Sequence, residues 1–235
     1  MSKRTSFLLN FCLVLFSLNV IAQDTIPNTS VDTKYREDQF YIGASYNLLS
    51  NVPKGVKARG LSGGLQFGYL RDMPINERRN IAIAIGGGFS FNEYGQTLFI
   101  GENSDQSSEF TVLNEDVEDY TRNRFSTSEI EVPIEFRWRS STAEAYKFWR
   151  IYAGFRLGYT YWYKATFKQS GNNVNRTDIP EFDKVRLGTT LSFGFNTFNF
   201  SVYYSLNPFF KDAVTTDGQT VNFQTIRVGL MFYLL

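Results

Sequence analysis

The clearest pattern in the chain is an alternation of apolar and polar positions over residues 125–164, interrupted by a short polar stretch at 140–147. Successive side chains of a strand point to opposite faces, so each half predicts a strand with one aromatic face and one face of charge and glycine. Both predicted strands exceed the five or six residues that are usual in soluble proteins. This pattern is typical of a hairpin that crosses an outer membrane, with lipid outside and a polar lumen inside.

The same alternation recurs along the rest of the chain. It predicts strands at about 40–49, 60–70, 80–91, 125–139, 149–164, 184–196, 198–207 and 224–234. The count is even, and apart from the first pair the connections after odd strands are clearly longer than those after even strands, as in bacterial barrels. We therefore predict an all-β fold, an eight-stranded antiparallel transmembrane up-and-down β-barrel with long extracellular loops and both termini in the periplasm. A barrel of this size has a lumen filled by side chains.

The first residues have the features of an export signal. Lys3 and Arg4 precede a mostly apolar run. Val20 and Ala22 then occupy the small-residue positions of a signal-peptidase cleavage site. A membrane anchor is the alternative, but the apolar run is too short for one. We expect a signal peptide at 1–22, a flexible periplasmic arm at 23–39 and an outer-membrane barrel at 40–235.

Composition narrows the possible functions. Removal of the signal peptide takes away Lys3 and Arg4, which leaves 22 cationic and 23 acidic side chains and a formal charge of −1 instead of +1. Because the chain has no excess of positive charge, nucleic acid is not an expected partner. The chain has no histidine, and its one cysteine, Cys12, lies in the predicted signal peptide. Histidine-dependent catalysis and zinc–thiolate sites are therefore excluded, and we expect no enzyme activity, no metal and no cofactor.

Charged residues on the predicted inner faces are the first group of candidate site residues. They are Glu129, Glu131, Glu135, Arg137, Arg139, Arg150, Arg156, Lys184, Arg186 and Arg227. Charges removed from water need partners, so this set predicts a lumen charge network. Acid catalysis by paired carboxylates, or a proton path, is the alternative.

Aromatic residues near the ends of the central hairpin are the second group. Trp138, Trp149, Tyr159, Tyr161 and Tyr163 are expected to face lipid as interfacial anchors, or in part a partner barrel. The long connection at 92–124 carries many acids, and its segments 97–100 and 110–113 are candidates to continue the strands beyond the membrane. We expect the acids to form a solvated loop; calcium binding is the alternative, although no Asp-x-Asp-x-Asp-Gly spacing occurs.

Three segments resemble a known family. Ser128–Glu135, Tyr152–Tyr159 and Ile226–Tyr233 are similar to strands of the PorT-like (porin-family) outer-membrane β-barrels of Gram-negative bacteria. The resemblance implies a non-enzymatic accessory subunit of an envelope complex, either type IX secretion and gliding or outer-membrane protein assembly. Expected partners are outer-membrane lipid and lipopolysaccharide, and other outer-membrane proteins or lipoproteins. A small-solute or ion channel is the main alternative; a lipid-acting enzyme and a soluble carrier are the others.

Overall fold

The computed structural model describes residues 37–114, 119–140 and 148–234. The predicted signal peptide and most of the predicted arm lie outside these ranges. Within them there are eleven strands: β1 Gln39–Ser50, β2 Gly63–Pro74, β3 Ile81–Gly95, β4 Leu98–Glu102, β5 Ser108–Val112, β6 Tyr120–Arg139, β7 Trp149–Gln169, β8 Asn172–Arg176, β9 Val185–Phe195, β10 Phe198–Ser205 and β11 Gln224–Leu234. No helix in this part of the chain has the length and apolarity needed to span a membrane.

Eight of these strands close into an antiparallel barrel, which confirms the predicted fold. Neighbours follow the order β6-β3-β2-β1-β11-β10-β9-β7, and β6 also pairs with β7, so the sheet has no free edge there. The first and last strands close the barrel through pairs from Phe40 with Leu234 to Ser50 with Gln224. Closure pairs the backbone groups of every barrel strand, which a hydrocarbon environment requires.

The barrel has the reverse polarity of a soluble protein. On β7, Phe155 is 55% exposed and Leu157 is 47% exposed, whereas Arg156 between them is 4% exposed. Exposed apolar side chains likewise alternate with buried polar ones on the other barrel strands. This arrangement is stable only when lipid surrounds the outer face.

Two irregularities interrupt the pairing of β6 with β7, one between Tyr120 and Arg122 and one between Ser128 and Glu129. At the second, Ser128 pairs with Trp162 and Glu129 pairs with Thr160, which leaves Tyr161 as an extra residue. An extra residue reverses the facing of every later side chain on its strand. The prediction that Tyr163 faces lipid is therefore wrong: it is 7% exposed and faces inward, while Trp162 is 44% exposed and faces outward.

The two ends of the barrel differ. The turn end carries the connection at 75–80, the end of β6, the start of β7, the turn at Asn196 and Thr197, the start of β1 and the end of β11. The loop end carries the long connections. Among these, β4 and β5 form a separate hairpin, and β8 pairs with the extension of β7.

A hydrophobic cluster fills the loop end, and we call it the loop-end cap. It consists of Val56, Tyr94, Leu98, Ile100, Phe110, Phe125, Tyr163, Ala165, Ile179, Phe182, Phe209, Phe210, Ala213, Val221 and Phe223. Phe125 lies at its centre, with ring centroids 5.5 to 6.2 Å from four other aromatic rings. The segments expected to continue the strands do form strands, β4 and β5, but these pair with each other as a separate hairpin, and Leu98, Ile100 and Phe110 are buried in this cap.

Candidate functional site: the charged lumen

Nine of the ten charged residues singled out from the sequence have buried side chains. They are Glu129, Glu131, Glu135, Arg137, Arg139, Arg150, Arg156, Arg186 and Arg227. Lys184 does not belong with them, because it is exposed and precedes the first residue of β9. Its carbonyl accepts a hydrogen bond from Thr160 N at 2.8 Å, and its ammonium remains in water, where a lysine is most stable.

The ion pairs at the turn end centre on Asp72. Its carboxylate accepts hydrogen bonds from Arg139 Nη1 at 2.9 Å and from Arg137 Nη1 at 3.3 Å, across the lumen from β2 to β6. Arg137 also donates through Nε to Glu135 at 3.1 Å. Glu37 lies 3.5 Å from Arg150 Nη2. These buried groups occupy the lumen at this end.

A second group of ion pairs lies halfway along the lumen. Glu131 on β6 accepts from Arg156 Nη1 on β7 at 2.9 Å and from Arg227 Nη2 on β11 at 3.0 Å. Arg156 donates further to Gln66 Oε1 at 2.6 Å, and Arg227 donates to Ser90 Oγ at 2.7 Å. Two cations thus share one carboxylate, and the bonds join five strands of the barrel across its interior.

The third level of the lumen lies beneath the loop-end cap. Glu129 accepts from Thr127 Oγ1 at 3.0 Å. Arg186 donates to Pro208 O at 2.8 Å and to Asp183 O, and its guanidinium lies 4.9 Å from the ring centre of Phe209. Arg186 therefore ties the cap to β9 rather than pairing with the glutamates of β6.

Asp183, next to this arginine, is the clearest charged contact outside the membrane-spanning part. Burial acts to raise its pKa, but hydrogen bonds from Lys211 Nζ and from Val185 N, together with the charge of Arg186, hold the pKa below its ordinary value of 3.8. Asp183 is thus the anion that fixes the segment around Lys211 to the start of β9.

Sequence reasoning missed Glu37 and Asp72, and both are fully buried. The sequence places Glu37 in the predicted arm and Asp72 in a predicted turn. In the structure β2 continues to Pro74 and so includes Asp72, whereas Glu37 lies two residues before the start of β1. An excess of inward arginines over inward acids was the available signal that further carboxylates had to face the lumen.

The interior cavity beside the two arginines that pair with Glu131 is small. The cavity lined by Ser45, Gln66, Arg156, Tyr203 and Arg227 has a volume of about 10 Å³. That is close to the smallest cavity that holds one water molecule. Within the described ranges, no cluster of three or more histidine, cysteine, aspartate or glutamate side chains has the geometry of a metal site.

Comparison with known proteins identifies the family. Residues 21–211 match the model of the outer membrane protein beta-barrel domain, which covers most of the chain. The chain belongs to this family. Among solved structures, it is similar to Ail, the attachment invasion locus protein of Yersinia pestis, crystallised with the heparin analogue sucrose octasulfate. The identity is 15%, the TM-score is 0.34, and the match covers 85% of this chain and 99% of the other. The search of curated proteins gave no match.

Four of the five aromatic residues singled out from the sequence are exposed on the outer face of this outer-membrane barrel. Trp138 and Trp149 are exposed near the turn end, and Tyr159 and Tyr161 are exposed further toward the loop end. Their role as interfacial anchors stays a prediction. Tyr163 is instead part of the loop-end cap, where its hydroxyl accepts a hydrogen bond from Ile179 N at 3.1 Å.

Proposed function

We propose that this protein is a non-enzymatic, non-conducting barrel of the outer membrane that serves as a structural subunit of an envelope protein complex. The observation that carries the proposal is a lumen occupied at three levels, by the groups around Asp72, by Glu131 with its two arginines, and by the loop-end cap. A lumen filled in this way supports a barrel that does not conduct solute. Its available surfaces are the outer wall and the loop end, which favours an interaction role.

The complex we infer is the type IX secretion and gliding apparatus or the outer-membrane assembly machinery. The support is the resemblance of three strands to PorT-like barrels. The partners in this proposal are outer-membrane lipid and lipopolysaccharide around the wall, and other outer-membrane proteins or lipoproteins at the exposed surfaces.

Two measurements test closure and partnership. Planar-bilayer recordings of the wild type should show no steady conductance, because buried ion pairs and the loop-end cap occupy the described part of the lumen. Cross-linking in cells, followed by purification in mild detergent and mass spectrometry, should give a reproducible partner that an unrelated eight-stranded barrel does not retain. A steady ohmic current would favour the channel alternative, and a monomer without reproducible partners would refute the subunit role.

The proposed orientation places both termini in the periplasm and the loop end outside the cell. The chain's one cysteine lies in the predicted signal peptide, so single cysteines can be introduced without background. Asp105 lies in the exposed connection between β4 and β5, and Glu77 is exposed at the turn end. An impermeant maleimide applied to whole cells should label Asp105→Cys and leave Glu77→Cys unlabelled; the reverse result would invert the orientation.

A further inference from the structure

The outer wall of the barrel carries a two-part groove at its loop end, which we call the rim groove. The upper part, of about 390 Å³, is lined by Arg59, Arg122, Arg124 and Glu93. The lower part, of about 620 Å³, is mainly apolar, and Leu65, Phe91 and Trp162 line it. Leu61, Glu93 and Arg124 contribute to both parts, so the groove is continuous.

The lower part is a depression because small side chains lie between bulky ones. Across the strands, Leu65 pairs with Phe91, Phe91 pairs with Ser128, and Ser128 pairs with Trp162. Ser126 and Gly63 come next toward the loop end on the same face. A bilayer surrounds this wall, so the occupant of such a depression is an acyl chain.

Both irregularities of the β6–β7 pair direct a side chain into this groove. The shift between Tyr120 and Arg122 leaves Thr121 and Arg122 both exposed on the outer face. The extra residue at Tyr161 leaves Tyr161 and Trp162 both exposed. Bulges that re-aim side chains are frequent beside functional sites. Here one bulge supplies a cation to the polar part and the other supplies an aromatic ring to the apolar part.

The polar part of the groove contains guanidinium groups with hydrogen-bond donors that are available to an anionic ligand. Arg124 Nη1 pairs with Glu93 at 2.6 Å, but Arg124 Nε is buried without a hydrogen-bond partner in the described part of the chain. Arg122 makes no ion pair with any described residue. Lys168 lies directly opposite Arg122, and Lys164 lies opposite Ser126. Among the described residues that line the groove, the arginines outnumber the one acid, Glu93, and guanidinium groups are well suited to bind phosphate.

We propose that the rim groove binds the lipid A part of lipopolysaccharide, a phosphorylated and acylated glycolipid. A phosphate of lipid A accepts hydrogen bonds from Arg122 and Arg124, and an acyl chain lies along the depression beside Trp162. The inference rests on the proposed orientation, because lipid A is confined to the outer leaflet and the groove lies at the loop end.

Trp162 provides the measurement. The chain has three tryptophans, so Trp138→Phe with Trp149→Phe leaves Trp162 as the sole tryptophan, and excitation at its red edge separates its emission from that of tyrosine. The full exported chain, folded in detergent, is titrated with bis-phosphorylated lipid A, and a saturable change in Trp162 emission is expected. Dephosphorylated lipid A should bind at least about tenfold more weakly, because the charge-assisted hydrogen bonds are lost.

Variants locate the binding. Arg122→Gln with Arg124→Gln should weaken lipid A binding by at least about tenfold, and the exposed Arg122→Gln alone should weaken it by about threefold or more. The matched control is Lys54→Gln, which removes an exposed loop-end cation outside the groove and should leave binding unchanged. Heat-dependent gel mobility confirms that each variant is folded.

Three results would overturn the proposal: equal binding by the double variant, equal binding of dephosphorylated lipid A, or an equal emission change with inorganic phosphate or phosphatidylglycerol. The titration in detergent requires neither the proposed orientation nor a protein partner. Failure of lipid A binding is therefore distinguishable from failure of the proposed function, which the cysteine labelling and the cross-linking test separately.

Discussion

Glu131 is the single carboxylate between two buried arginines, and its removal is the sharpest test of the lumen as a structural network. In Glu131→Ala, Arg156 retains the neutral acceptor Gln66 and Arg227 retains the neutral acceptor Ser90. Both guanidinium groups stay charged and buried, and each loses its charge-assisted bond to Glu131.

The size of the effect follows from those two bonds. A hydrogen bond to a charged group contributes about 1.5–3 kcal/mol, and breaking a buried ion pair from one side costs about 3–5 kcal/mol. We expect Glu131→Ala to lower the free energy of unfolding by about 3–5 kcal/mol. Reversible urea unfolding in detergent or lipid vesicles, followed by tryptophan fluorescence, measures this difference.

The barrel contains its own control for this experiment. Glu93 pairs with Arg124 at 2.6 Å, but both side chains are 30% exposed. Glu93→Ala should therefore cost only about 0–1 kcal/mol. A further variant, Glu131→Leu with Arg156→Met and Arg227→Met, replaces all three charges and should recover most of the loss, because an apolar core needs no counter-ion. If Glu131→Ala is no more destabilising than Glu93→Ala, the lumen is hydrated and the reasoning fails.

Three further predictions concern other parts of the barrel. Phe125→Ala should lower the free energy of unfolding by about 3–5 kcal/mol through a cavity in the loop-end cap, measured by urea unfolding; a loss below about 1 kcal/mol would mean that the cap is not packed. Gly188→Ala should cost about 1–3 kcal/mol, because the added Cβ would lie 2.2 Å from the ring of Tyr203, and unchanged stability would contradict that close approach. The pKa of Asp183 is lowered, so its contribution to stability is complete above its ordinary value of 3.8 and is lost as the pH falls below it. Unfolding midpoints between about pH 2.5 and 6 should therefore decline less steeply at low pH for Asp183→Asn than for the wild type, and parallel profiles would refute the role of Asp183.

The period-two pattern predicted the fold because lipid and lumen impose opposite demands on alternate residues. Along β7 the pattern identifies the outward Phe155 and the inward Arg156 correctly. It fails after Tyr161, because one extra residue reverses the facing of all that follows, and nothing in the local sequence marks that position. This is why the alternation predicts that Tyr163 faces lipid.

The candidate site was only partly predictable for a related reason. Arginines and glutamates in the middle of a strand are recognised by alternation, whereas Glu37 and Asp72 lie near strand ends, where boundaries are least certain. The loop-end cap was missed since its members, such as Leu98, Phe182 and Phe210, are scattered through polar connections and meet only through tertiary structure. The alternation along 184–196 predicts that Lys184 faces the lumen, but Lys184 lies just before β9 and its side chain is exposed to water.

The seam between β1 and β11 has a consequence for biogenesis. Asn51 Nδ2 donates to Gln224 Oε1 across this seam, although the two residues are 173 positions apart. Closing so long a loop costs about 2.5 kcal/mol more chain entropy than joining strands through a ten-residue turn. That cost is offset only when the whole register from Phe40–Leu234 to Ser50–Gln224 forms together. Until then both strands present unpaired amides that hydrocarbon does not tolerate. Insertion into the membrane and seam closure should therefore be a single cooperative step, and a chain lacking β11 should stay outside the bilayer rather than insert as a seven-stranded sheet.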